Sequence, residues 1–152
     1  MAKEIERKFL VSDDSYKLMA SESHRIAQGY ISRRKEGTVR VRILDDKAFL
    51  TVKGENHGIS RNEWEYPIPV EDAREMFRDV CEGPALEKTR WIVPYAGLSW
   101  EVDEFRGALA PLVVAEVELP SADTPVPLPP FVGREVSGDP AYYNSNLIRN
   151  LK

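Results

Sequence analysis

The chain has 152 residues, 30% of them charged and 42% hydrophobic, with a formal net charge of −4 at pH 7. That length suits one domain with a substantial core, read as a single unit over residues 1–152, and the acidic balance argues against a general nucleic-acid binder. The single cysteine, Cys81, excludes an intramolecular disulfide, and with only two histidines the chain lacks a Cys/His zinc set.

Strand signals dominate. Residues 3–11 alternate charged and apolar side chains over their first half and predict the first strand. Residues 25–32 predict a second, and 38–44 and 47–53 a hairpin turning at Asp45-Asp46. Residues 61–68 predict the fifth strand. Over 70–81, Ala73, Met76, Phe77, Val80 and Cys81 form a helical apolar stripe that stops at Gly83-Pro84. Residues 85–94, 98–105 and 112–119 predict three more strands. Pro120 to Pro130 carries five of the eleven prolines and reads as an extended connector. A second helix is predicted from Asp139-Pro140, an N-cap with proline at the first helical position, to about Leu151. Eight strands with short connections predict a mainly β (α+β) sandwich or closed barrel. No apolar run is long enough to span a bilayer and the N-terminus opens with charges, so a soluble cytoplasmic protein without membrane partners is expected.

Residues two apart on a strand share a face. On that grid same-sign charges repeat on six strands: Glu4/Glu6, Arg40/Arg42, Glu63/Glu65, Lys88/Arg90, Glu101/Asp103 and Glu116/Glu118. Lys8, Lys53 and Arg61 share these faces, whereas alternate positions such as Val39, Val41, Val52, Trp64 and Val117 are apolar. Like charges at roughly 7 Å repel by about 0.6 kcal/mol in water and about 2.4 kcal/mol at an effective dielectric near 20. A merely solvated face avoids that cost by mixing signs, so the repeats imply compensating ligands. Carboxylates without histidine or cysteine are hard oxygen donors suited to Mg²⁺ or Mn²⁺. Lysine and arginine clusters suit phosphate oxygens. Together they want a metal–polyphosphate complex. Phosphate must then be held by side chains, because Gly54 to Gly58 lacks the Gly-Lys-Ser/Thr ending of a phosphate loop.

Glu4-Ile5-Glu6-Arg7-Lys8 resembles the E-x-E-x-K signature of the CYTH superfamily, the triphosphate tunnel metalloenzymes. Further segments match in order: Gln28-Gly29-Tyr30, Val39-Arg40-Val41-Arg42, Thr51-Val52-Lys53, Glu63-Trp64-Glu65, Glu87-Lys88-Thr89-Arg90, Glu101-Val102-Asp103, Glu116-Val117-Glu118 and Gly133-Arg134-Glu135-Val136. The resemblance covers nearly the whole chain. It implies an eight-stranded antiparallel closed β-barrel with a polar tunnel and outer helices. It also implies divalent-metal-dependent action on a triphosphorylated small molecule, most like the short bacterial inorganic triphosphatases. Two alternatives stay open: a class IV-type adenylate cyclase, and a non-catalytic polyphosphate- or nucleotide-binding module.

Under this reading Lys8, Arg40, Arg42, Lys53, Lys88 and Arg90 bind phosphate, with Arg61 a weaker candidate. Glu4, Glu6, Asp103, Glu116 and Glu118 bind metal, and Glu63, Glu65 and Glu101 hold a second metal or orient water. Tyr30, whose grid-mates Gln28 and Ser32 are polar, is expected to enter the tunnel. It joins Lys8, Lys88 and Glu63 as the catalytic set. Each residue has a plainer alternative, an internal salt bridge for the charges and a core aromatic for Tyr30. Arg33-Arg34-Lys35 reads first as a solvated turn and second as a steering patch for anions. The apolar outer face that the helices leave bare must be covered, either by a homodimer packed on the remaining strands or, alternatively, by loops of a monomer.

Overall fold

The structure is a computed structural model that describes residues 2–147. Its strands are β1 (Ala2–Val11), β2 (Glu22–Arg34), β3 (Gly37–Leu44), β4 (Lys47–Gly54), β5 (Ser60–Ile68), β6 (Leu86–Tyr95), β7 (Leu98–Phe105), β8 (Val113–Glu118) and β9 (Val132–Glu135). Strands β1 to β8 are all antiparallel in the order β5-β4-β3-β2-β6-β7-β8-β1, and β1 pairs back onto β5 to close the barrel. The closed eight-stranded barrel expected from the resemblance is therefore present.

The ninth strand was not anticipated. β5 leaves the edge of β1 at Ile5, and β9 takes over beside Phe9 and Val11. Four residues, one of them glycine, give too short a pattern to read as a strand. Its consequence is local: Val136 N–H donates to the Lys8 carbonyl and Lys8 N–H donates to Ser137 Oγ, so both backbone groups of Lys8 are tied to this segment.

The Asp45-Asp46 hairpin forms as expected. Asp45 adopts a positive φ of 54°, and its carboxylate stabilises that turn by accepting from Arg25 N–H at 3.0 Å.

Two apolar layers lie outside the barrel. Helix α1 (Tyr16–Met19) and the proline-rich connector cover β1, β6, β7 and β8, where Phe9, Trp100, Val117 and Phe131 are buried with Tyr16. The connector is thus a packed strap. Helix α2 (Val70–Asp79) covers β2, β3 and β4 through Ala73, Met76 and Phe77, against Val41 and Ala48. Its acids Glu71 and Asp72 sit in the first turn and Arg78 in the last, each favourable to the helix dipole. It ends two residues sooner than the stripe suggests, where Val80 and Cys81 N–H share the Met76 carbonyl, and Val80 is 51% exposed. Cys81 still packs inward, because Gly29 has no side chain: a Cβ there would meet Cys81 Sγ at 3.2 Å and Phe77 at 3.3 Å.

The predicted C-terminal helix is broken. Asp139 caps a single 3₁₀ turn at Pro140–Tyr142, Tyr143 is extended, and α3 (Asn144–Leu147) follows; residues 148–151 of that prediction lie outside the described residues. The break lets Leu147 enter a cluster with Tyr30, Leu86, Phe105 and Val114, which caps part of one end of the barrel. Among the described residues no helix is long and apolar enough to cross a membrane.

Candidate functional site

The barrel interior is a polar cavity of about 250 Å³, walled by seven carboxylates and six cationic side chains. Strand period brings them there. Cross-strand register places Glu6 opposite Glu118, Lys8 opposite Glu116, Glu101 opposite Glu116 and Lys53 opposite Glu63, all on the inward face. At the end formed by the β2–β3 and β4–β5 turns the cavity meets a vestibule of about 550 Å³ bordered by Arg33, Arg34, Lys35 and Arg61. The opposite strand ends carry Glu65 and Glu101, with side chains 41% and 38% exposed, and the exposed Glu118. One end is rich in bases and the other in acids.

Many of the charges pair across strands. Lys53 Nζ lies 2.9 Å from Glu4 and 3.5 Å from Glu63; Lys8 Nζ lies 3.4 Å from Glu116. Arg40 Nη2 is 3.5 Å from Glu65 and donates to buried Thr51 Oγ1, whose hydroxyl donates in turn to Glu65. Asp103 is the most committed acid. It accepts from Lys88 Nζ at 2.6 Å and from Arg90 Nε and Nη2 at 2.8 and 2.9 Å.

These contacts order the proton affinities. Burial would raise Glu4 and Glu116, but Lys53 and Lys8 respectively outweigh it and hold each at about 2. Burial likewise works against Asp103, yet Arg90 and Lys88 hold it well below the usual carboxylate range. Burial pulls the Lys88 ammonium down to about 7 against the attraction of Asp103. Glu63 rises to about 7 through burial and its hydrogen bond with Glu4.

Four lumenal charges have no ion-pair partner among the described residues. Two are acids, Glu6 and Glu118; two are guanidinium groups, Arg42 and Arg61. Burial, then Glu116 and Glu4, push Glu6 well above its ordinary value. Burial, then Arg40 and Arg90, bring Arg42 down to about 9. Arg40 adds a buried Nε–H with no acceptor among the described residues. An anion answers one set and a cation the other.

The CYTH domain family matches residues 2–143. The chain belongs to the CYTH domain family. Two relatives called inorganic triphosphatase match nearly the whole of this CYTH chain. One, from Acetivibrio thermocellus, is 51% identical over 150 residues, covering 99% of this chain and 96% of the relative. The other, from Nitrosomonas europaea, is 38% identical over 155 residues, covering 97% and 98%. The crystal structure of the inorganic triphosphatase NE1496 superposes with a TM-score of 0.68 at 34% identity, covering 97% of this chain and 95% of that one. Membership implies a divalent metal ion, and the acidic wall suits one: its donors are all carboxylate oxygens, and Glu6 and Glu118 have no cationic partner among the described residues. Among the described residues no three acidic, histidine or cysteine side chains are already converged as a ligand cluster.

Of the residues singled out in the CYTH sequence, the cavity wall brings together Glu4, Glu6, Lys8, Tyr30, Arg40, Arg42, Lys53, Arg61, Glu63, Glu65, Arg90, Glu101, Glu116 and Glu118. Lys88 and Asp103 share the inward faces but do not line the cavity: they are 1% exposed each, Asp103 being bonded to both Lys88 and Arg90. Arg33-Arg34-Lys35 borders the vestibule, with Arg33 held by Glu82 at 2.8 Å. Sequence reasoning assigned nothing to Thr51 or Gln28, although both lie in quoted motifs on inward positions. It also gave no role to Ser137, Tyr143 and Ser145, which the C-terminal segment adds to the wall. That segment comes close enough for Lys8 Nζ to donate to the Tyr142 carbonyl at 3.0 Å.

Proposed function

We propose that this protein hydrolyses inorganic triphosphate inside its barrel with Mg²⁺ or Mn²⁺. The division of unpaired lumenal charge carries the reading: Glu6 and Glu118 on one wall, Arg42 and Arg61 on another, in one cavity. The full-length similarity to inorganic triphosphatases supports it.

Arg42, Arg61 and the free Nε–H of Arg40 bind and orient phosphoryl oxygens and offset their negative charge. Lys8 and Lys53 turn toward the anion from their present carboxylate partners, and Arg90 faces it from its fixed place beside Asp103. Glu4, Glu6, Glu116 and Glu118 hold the divalent ion, which supplies Lewis-acid neutralisation of phosphoryl charge. Glu63 and Glu65, on the wall beside Lys53 and Arg40, orient the attacking water, and the Tyr30 hydroxyl contacts a phosphoryl oxygen. Lys88 and Asp103 contribute by fixing Arg90. The enclosed lumen strengthens each of these interactions by limiting solvent.

The outward side of β5, with Tyr66 58% exposed beside half-buried Trp64, is the apolar face left for a second copy of the chain. Sedimentation of the protein and of a Tyr66→Glu variant tests that arrangement.

The decisive assay measures orthophosphate released from tripolyphosphate, pyrophosphate and ATP with Mg²⁺, Mn²⁺ or EDTA, alongside cyclic AMP from ATP. Metal-dependent orthophosphate release fastest with tripolyphosphate is expected. Cyclic AMP as the main product, or tight binding with no turnover, overturns the reading.

A further inference from the structure

We propose that Gln28 is a positioning residue of this site, holding Arg42 as an uncompensated cation and making the Tyr30 hydroxyl a hydrogen-bond donor toward the lumen. The inference rests on the triphosphate reading above and deepens it.

Gln28 is fully buried, on the inward face of β2 and directly opposite Arg42 on β3. Its Oε1 accepts from Arg42 Nε at 2.9 Å and from Nη2 at 2.8 Å. These two bonds occupy both acceptor directions of the carbonyl and fix which end of the amide is oxygen. The amide nitrogen therefore faces Tyr30, 3.4 Å from the phenolic oxygen. An amide nitrogen only donates, so the phenol accepts, and its own hydrogen is left to point elsewhere. Tyr30 lines the cavity, and the lumen is where an acceptor arrives.

The choice of an amide has an electrostatic consequence. Arg90 and Arg42 are both buried, but Arg90 is held by Asp103 and Glu101. Arg42 is held by a neutral group, which orients the guanidinium without cancelling its charge. For stability alone a carboxylate at position 28 is the better partner, since charge-assisted bonds to guanidinium are the stronger kind. A carboxylate also reverses the bond to Tyr30: it accepts, so the phenolic hydrogen turns away from the lumen. An amide there sacrifices local stability for an unspent positive charge and a correctly turned hydroxyl.

The test compares Gln28→Glu and Gln28→Met with the wild type, each checked by thermal unfolding and circular dichroism. Gln28→Glu is expected to melt at or above the wild-type temperature while KM for tripolyphosphate rises at least about tenfold. It should also lower kcat, and that loss should vanish when the same change is made in a Tyr30→Phe background. Gln28→Met keeps the charge of Arg42 but frees its orientation, so it should raise KM less than Gln28→Glu. A folded Gln28→Glu protein with KM and kcat within twofold of the wild type overturns the inference, as does Gln28→Met raising KM as much as Gln28→Glu. A wild type that does not turn over tripolyphosphate defeats the earlier reading instead. Calorimetric Kd values for tripolyphosphate then read the same Gln28 effect.

Discussion

Glu6 and Glu118 stand directly opposite one another on β1 and β8, two inward carboxylates with no cationic partner among the described residues. Burial, then Glu116 and Glu4, disfavour the charged form of Glu6, and burial, then Glu4 and Glu101, disfavour that of Glu118. Glu6→Gln and Glu118→Gln should each raise the unfolding temperature of the metal-free protein and sharply reduce metal-dependent phosphate release. Adding Mg²⁺ should stabilise the wild type more than either variant. Differential scanning calorimetry with EDTA and with Mg²⁺ checks both halves; variants less stable than the wild type in EDTA would remove the pair from the functional site.

The connector from Pro120 to Pro130 ends at Phe131, which is fully buried against Tyr16 with ring centroids 6.0 Å apart. Phe131→Ala should cost about 3–5 kcal/mol, the usual price of a large buried aromatic. Urea denaturation measures it. A cost below about 1 kcal/mol would mean that the strap does not hold this side of the barrel.

These two sites differ in how readily they are read from sequence. The carboxylate face was legible because a strand has a period of two, so Glu4-x-Glu6 and Glu116-x-Glu118 declare a shared face without any knowledge of pairing. What Asp103 does was not legible. Its saturation by Lys88 and Arg90 depends on the β6–β7 register, which sets Arg90 opposite Asp103, and nothing local encodes that register. Gln28 was hidden for the same reason, its partner Arg42 lying on another strand. Helix α1 escaped because four residues carry no periodicity: Tyr16 holds it by packing on Trp91 and Phe131. The end of α2 and the break at Tyr143 are likewise set by tertiary contacts.

The vestibule leads to a second functional expectation. Arg34 has a side chain 77% exposed, and with Lys35 it borders the basic end of the cavity. Exposed charges there raise the association rate of an anion and are screened by salt. The double change Arg34→Glu and Lys35→Glu should lower kcat/KM for tripolyphosphate about tenfold at low ionic strength and leave kcat unaltered. The wild-type value should fall as salt rises, and the variant should lose most of that dependence. Equal salt profiles would mean that the two side chains form only a solvated turn.

The last prediction lies away from the lumenal acids. His24 Nδ1 is 2.6 Å from Asp45 and Nε2 is 2.9 Å from Glu22, so both ring nitrogens face carboxylates. Directly across on β6, Arg90 is engaged by Asp103 and Glu101 and offers His24 no competing free charge partner. Glu22 and then Asp45 raise the His24 pKa above 6.5, while His24 and the Arg25 amide lower that of Asp45. A raised histidine pKa stabilises the fold fully below the unfolded-state value near 6.5 and loses that contribution as pH climbs through the folded-state value. The depressed Asp45 pKa acts in the opposite sense, its contribution fading as pH falls below the ordinary aspartate range. His24→Gln should therefore lower the unfolding temperature most near pH 5.5–6, and the gap from wild type should narrow toward pH 8 and again below about pH 4. The effect should be small because these side chains are partly solvated and screened. Unfolding temperatures of both proteins across that pH range decide it, and a gap that stays constant with pH would show that the imidazole is not held as a cation.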